Sequence, residues 1–297
     1  MLTGSARIVF VSGKGGTGKS FVAEALAAYA ARERCLRVAL VRVRPPFGEP
    51  GDDGQHEETT AAGPAHSPGF RTIVLDERET LEKFLGRVLR VGFVARRLLD
   101  SRTFRAVAAA APGLRDLVTL TAITALASAG RRRSVDLVVV DAPASGHSVP
   151  LLTSPVRVLD LAPLGPVARE ARAALQTVTD RQSFVPLIVT IPEELAVTEA
   201  VTLYEELVAE GIPAPRIVVN CLWPGHLDDA HVQWLVTRRP SLDALLHHKR
   251  RQRQLEQLAT LERKTGKCMT LPFTFGNQLL PAAAIAALLD SVLAPRS

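Results

Sequence analysis

Three cysteines, Cys35, Cys221 and Cys268, are scattered through 297 residues. So sparse and odd a set supports no disulfide framework. Without a C-x-x-C pair it also supports no structural zinc site within one chain. Long apolar runs are missing too. Hydrophobic residues make up 47% of the chain, enough for a large core, yet no uninterrupted stretch reaches the ~18 residues of a membrane-spanning helix. The amino-terminal MLTGSARIVFVSGKGG holds an apolar run of only about six residues and no small-residue cleavage site, which excludes a signal peptide. These absences predict a cytoplasmic protein. No internal repeat is present, which argues against a tandem duplication. The net charge is +6 and the pI about 9.6, with cationic clusters at Arg131–Arg133 and Lys249–Arg253. No aromatic residues interleave with these clusters, so they read as solvated helix faces rather than a nucleic-acid surface.

What is there alternates strand with helix. RIVFVS at 7–12 is a short β-branched run, 19–33 an alanine-rich helix, and RVALVRV at 37–43 a second strand. Further strands are predicted at 71–75, 136–140, 185–191, 215–219 and near 269–273, with helices over 194–210, 228–264 and 278–293. This order predicts an α/β fold, a mostly parallel central sheet flanked by helices, as one domain over 1–297. Residues 44–69 are rich in Pro, Gly, Asp and Glu and read as a flexible loop. Residues 82–130 read as a helical insertion, broken at Pro112-Gly113. In the helical region that follows the strand at 71–75, Leu81, Phe84, Leu85, Val88 and Leu89 recur on one helix face.

The sharpest signal is GKGGTGKS, spelled by Gly13, Lys14, Gly15, Gly16, Thr17, Gly18, Lys19 and Ser20 between the first strand and the first helix. It fits the P-loop pattern G-x-x-x-x-G-K-[ST] in the context that pattern demands. The glycines let backbone N–H groups turn inward around a β-phosphate, and the helix N-terminus adds partial positive charge. Lys19 is placed to reach the β- and γ-phosphates and Ser20 to ligate Mg²⁺. The expected cofactors are therefore ATP and Mg²⁺.

Lys14 cannot easily fold back onto its own phosphates. In the deviant Walker A class such a lysine reaches across a dimer interface to the partner's nucleotide, as an arginine finger does. Asp141 ends the run DLVVVD at the carboxyl end of a buried strand, where it can hold a Mg²⁺-bound water beside the loop. Gly146 follows in a turn suited to sensing the γ-phosphate. Lys14 and Asp141 are thus the candidate catalytic residues, and Ser20 and Asp141 the candidate metal ligands.

In order along the chain, GKGGTGKS, DAPASGHSVPLL, TIPEELAVTEAVTLYEEL and VVNCLWP resemble the anion-transporting ATPase family, most closely its single-domain bacterial members. That family includes the arsenite-pump ATPase and the ATPase that targets tail-anchored membrane proteins. The resemblance implies a homodimer, or a heterodimer with a paralogue, in which two nucleotides face each other and ATP binding drives closure. A protein client or membrane-associated partner is implied with it. By the same likeness His147 joins Asp141 in the second switch. Asn220 meets the adenine base, which Leu271, Pro272 and Phe273 wall in.

Three departures from the family accompany the likeness. Where its first switch carries a water-orienting Asp after the second strand, this chain has Arg44, in RVRPPFG. Asp52 or Asp53 in the following loop could substitute. The C-x-x-C of the tail-anchored-protein branch is absent. Arsenite needs three convergent thiolates, and Cys35, before the second strand, and Cys221, beside the expected adenine site, stand against that. The leading reading is a dimeric ATP switch. The alternative is a non-hydrolysing nucleotide-binding scaffold that pairs with an active paralogue. Partition and septum-site ATPases share the extra lysine, but residues 278–293 lack the cationic face of a membrane-binding tail.

Overall fold

The computed structural model describes residues 7–43, 69–75, 77–89, 113–128, 135–225, 230–231, 234, 242–274 and 280–294. Seven strands form one sheet: β1 (Arg7–Ser12), β2 (Val38–Val43), β3 (Arg71–Leu75), β4 (Leu137–Asp141), β5 (Phe184–Thr190), β6 (Arg216–Leu222) and β7 (Met269–Pro272). Their spatial order is β3-β2-β4-β1-β5-β6-β7, and every neighbouring pair is parallel. The helices are α1 (Lys19–Glu33), α2 (Glu77–Leu89), α3 (Leu114–Ser128), α4 (Ser145–Leu161), α5 (Pro166–Thr179), α6 (Glu194–Ala209), α7 (Leu242–Thr265) and α8 (Ala282–Leu293).

The central strands are apolar throughout because the sheet is covered on both faces. Along β1, Ile8 and Phe10 point into the core under α2 to α7, while Val9 and Val11 point into a second core under α1 and α8. Val138 and Val140 of β4 join the first of these, and Leu137 and Val139 the second. Phe10 and Phe184 meet across β1 and β5 with ring centroids 6.0 Å apart. Within the stretch predicted as an insertion, Phe84 and Leu85 of α2 and Leu117, Leu120 and Ile123 of α3 are buried in the same core as the sheet.

Some boundaries differ from the sequence reading. The last helix begins at Ala282 rather than 278, with Pro281 as its N-cap. Proline lacks an N–H and disfavours the α region in the residue before it, so the helix starts only after it. The helix predicted from 228 is continuous among the described residues only from Leu242. Between β4 and β5 the chain forms two helices, separated where Gly165 takes φ 95° and Pro166 opens α5.

Candidate nucleotide site

Four strands end around one loop. β1 leads into residues 13–18, and α1 leaves from Lys19. Gly13 has φ 141°, and a Cβ there would lie 2.1 Å from the Val189 carbonyl oxygen on β5. Only glycine lets the loop pass so close to that strand. Gly16 and Gly18 take φ 83° and 88°, and a Cβ at Gly15 or Gly16 would meet nothing within 4 Å. Gly18 is the N-cap of α1 and makes no side-chain cap hydrogen bond, so it leaves the helix's first N–H groups for a ligand. This is the geometry that receives a phosphate.

The loop's two lysines behave differently. Lys19 spans the loop and donates from Nζ to the Lys14 carbonyl at 3.0 Å, and Thr17 Oγ1 donates to the same carbonyl at 2.9 Å. Partial burial lowers the pKa of Lys19 from its ordinary value, and the charge of Asp141 opposes that shift. Lys14 turns its own ammonium outward, onto Glu199 of α6 at 2.5 Å. Ser20 is exposed on the first turn of α1.

Asp141 closes β4 in register with Val11 of β1 and Arg42 of β2. The stretch after it is stitched to the loop. Ala142 N–H donates to the Val11 carbonyl at 3.0 Å, and Ser145 N–H to the Gly13 carbonyl at 3.0 Å. Ser12 Oγ donates to Ser148 Oγ at 2.6 Å, and Ser148 Oγ in turn to the Pro143 carbonyl at 3.2 Å. His147 lies exposed on the first turn of α4, its backbone N–H bonded to the Ala144 carbonyl.

Asn220, at the carboxyl end of β6, is 4% exposed and donates from Nδ2 to the Thr17 carbonyl at 3.0 Å. It therefore buttresses the loop from below. Of the three residues expected to wall the base, Leu271 is 1% exposed and packs in the core under α1 and α8. Pro272 and Phe273 are half-buried at the end of β7, and Phe273 N–H donates to the Leu222 carbonyl at 2.9 Å. Arg44, Asp52 and Asp53 lie outside the described residues.

The cysteines sit at two ends of a parallel sheet. Cys35 and Cys268 precede β2 and β7, whereas Cys221 lies near the carboxyl end of β6. Among the described residues no three His, Cys, Asp or Glu side chains gather as a metal cluster. A Mg²⁺ site of P-loop type does not call for one, since this ion keeps several waters and takes one or two protein ligands plus phosphate oxygens. One hydroxyl, Ser20, and one carboxylate, Asp141, fit that demand.

Sequence reasoning missed Glu199, Ser12 and Ser148. The glutamate lay within TIPEELAVTEAV, but nothing local distinguishes it from its neighbours, and its pairing with Lys14 appears only once α6 is placed.

A family model described as anion-transporting ATPase matches residues 6–163, just over half of the chain, including the loop, Asp141 and the stitched segment. The chain is 29% identical over 228 residues to ATPase BagA of Mycobacterium tuberculosis, covering 75% of this chain and 67% of that one. A protein of Mycobacterium bovis also named as an ATPase is similar to the same extent, 29% over 228 residues with the same shares. With a P loop and a parallel sheet in the matching arrangement, the chain belongs to the anion-transporting ATPase family.

Proposed function

We propose that the protein is an ATP-driven switch that acts as a dimer, with the nucleotide closing two chains on each other. The observation that carries this is the bonding between the phosphate loop and the segment after Asp141: Ser145 on Gly13 and Ser148 on Ser12. Any displacement of the loop by a γ-phosphate acts directly on the start of α4, which packs on α3 and α5. A change at the phosphates is thereby passed to the helical layer.

The chain's own residues supply most of the chemistry. The loop N–H groups and Lys19 bind and orient the phosphates, and Lys14 serves the partner's site. Ser20 and a water held by Asp141 would take two positions in a Mg²⁺ shell, whose contribution is to neutralise charge on the β- and γ-phosphates. Lys19→Ala removes a charge-assisted contact worth about 1.5–3 kcal/mol, so ATP affinity should fall by roughly tenfold or more. Equal affinity in calorimetry for the variant and the parent sinks the placement.

A second reading, a non-hydrolysing scaffold pairing with an active paralogue, is favoured by Arg44, a cation where the family carries a water-orienting carboxylate. Steady-state phosphate release separates the two. Turnover on the order of 10⁻³ s⁻¹ or below, comparable to an unassisted GTPase, supports the scaffold. Turnover raised by Arg44→Asp supports a switch with a weakened water site. Among the described residues no helix is long and apolar enough to cross a membrane, which is compatible with a cytoplasmic protein meeting a client or a membrane-associated partner.

A further inference from the structure

β2 sends one row of side chains under α1. Val38 and Leu40 are buried there, and Arg42 comes next in that row. β4 runs beside it with Leu137, Val139 and then Asp141 in its own row on the same face. The register pairs Leu40 with Val139 and Arg42 with Asp141. Register partners on neighbouring strands point to the same face, with backbones about 4.8 Å apart. Two apolar rows thus end side by side in opposite charges, where β4 meets the segment stitched to the phosphate loop.

These two charges do not pair. The Arg42 guanidinium is bonded instead to the Glu24 carboxylate of α1, and among the described residues Asp141 makes no ion pair. Glu24 lies one turn beyond Ser20 on the same face of α1. The carboxylate that holds Arg42 is therefore a neighbour of the hydroxyl expected on the metal. Lys19, whose ammonium feels the Asp141 charge, is the other cation at this corner. The side chains of Arg42 and Glu24 are nearly half exposed, at 45% and 46%, so their bond is a weak one that can be exchanged.

An arginine with a carboxylate on either side has two possible seats. On Asp141 it would neutralise the one carboxylate that the Mg²⁺ shell uses, and the ion would bind against a competing cation. On Glu24 it leaves Asp141 free. Arg42 cannot escape the conflict by losing its charge, so another carboxylate must hold it. We infer that Glu24 is a positioning residue for the metal: it keeps Arg42 off Asp141, and so keeps that carboxylate available to a Mg²⁺-bound water. This inference rests on the nucleotide reading above.

The test is calorimetry of ATP binding to the full chain, once in EDTA and once with Mg²⁺. The ratio of the two affinities is the gain that the metal brings. Glu24→Gln should cut this gain by about threefold to fivefold, the range of an exposed ion pair, and leave ATP affinity in EDTA unchanged. Adding Arg42→Gln to Glu24→Gln should restore the parental gain, which a merely structural role for Glu24 would not allow. Arg42→Gln alone should keep the gain at the parental level or above. If Glu24→Gln fails to fold, Glu24→Ala, which favours the helix, takes its place and should show the same loss and the same restoration. A gain that is indifferent to Glu24, or a loss that Arg42→Gln does not restore, overturns the inference. So does a Glu24→Gln protein that binds ATP more tightly in EDTA, since the freed arginine would then sit on the phosphates rather than on Asp141. A parent protein that binds ATP with no gain from Mg²⁺ overturns the metal reading, and one that binds no ATP overturns the nucleotide reading, both decided on the parent alone.

Discussion

The ammonium of Lys14 and the carboxylate of Glu199 lie 2.5 Å apart, although 185 residues separate them in sequence. Both side chains are about two-fifths exposed, at 37% and 43%. The lysine proposed to serve a partner's nucleotide is thus held by α6 of its own chain. It cannot be in both places, so closure must break this pair. An exposed ion pair is worth roughly 0–1 kcal/mol, so the latch is weak enough to release. Glu199→Gln should favour ATP-dependent dimerisation by up to about fivefold and leave ADP affinity unchanged. Sedimentation velocity with ATP reads this directly, and a weaker dimer would show that Glu199 does not restrain Lys14. Lys14→Ala should lose closure, and mixing it with Lys19→Ala should recover one composite site.

Gly13 offers a sharper test of the loop. A methyl group there meets the Val189 carbonyl at 2.1 Å, and that oxygen belongs to β5 in the middle of the sheet. The strand cannot yield, so the loop must. Gly13→Ala should cost about 1–3 kcal/mol in denaturant unfolding and abolish ATP binding. Gly15→Ala, where a Cβ meets nothing within 4 Å, should be mild in stability. Similar losses of stability for both would mean that the loop does not pass β5 as described.

Asn220→Asp probes the buttress. The change replaces a donor with a carboxylate facing the Thr17 carbonyl in a site only 4% exposed. An unpaired buried charge is costly, so the variant should lose about 2 kcal/mol or more at neutral pH. Burial raises the pKa of such a carboxyl above its unfolded value. Stability relative to the parent should therefore recover as pH falls and the group is protonated. A deficit that does not shrink on acidification, measured by urea unfolding, would show that the new side chain is not buried against the loop.

The parallel sheet and the phosphate loop were legible because their causes are local. Ile8 to Val11 form a continuous apolar run since β1 is covered on both faces, and GKGGTGKS needs its glycines within six residues of one another. The start of α8 was misread by the width of one constraint, Pro281. Long-range pairings had no such signature. Ser148 meets Ser12 across 136 residues, and Gln254 meets Trp223 across 31. Each depends on where a helix is carried by the sheet order, which periodicity does not encode. The cationic run of α7 shows the same limit. Its composition is that of a solvated face, yet Arg250 and Arg251 are turned onto an aromatic residue and its carbonyl.

Lys19 makes nucleotide binding depend on pH in a defined direction. Its ordinary pKa is 10.5, and burial lowers the folded-state value more than Asp141 raises it. The unbound folded state therefore holds this proton less tightly than the unfolded chain. The resulting penalty on stability is full below the folded pKa, and it is relieved as pH rises from there toward 10.5. Phosphates favour the charged ammonium and push its pKa back up. Binding of ATP or tripolyphosphate should then take up a proton wherever the pH lies between the unbound and bound pKa of Lys19, and affinity should fall as pH climbs through the lowered pKa. Calorimetry in two buffers of different ionisation enthalpy reads the uptake as a difference in apparent binding heat. Lys19→Arg, which stays charged throughout this range, should bind without that uptake. Uptake of the same size in Lys19→Arg would assign the proton to another group and remove Lys19 from the phosphates.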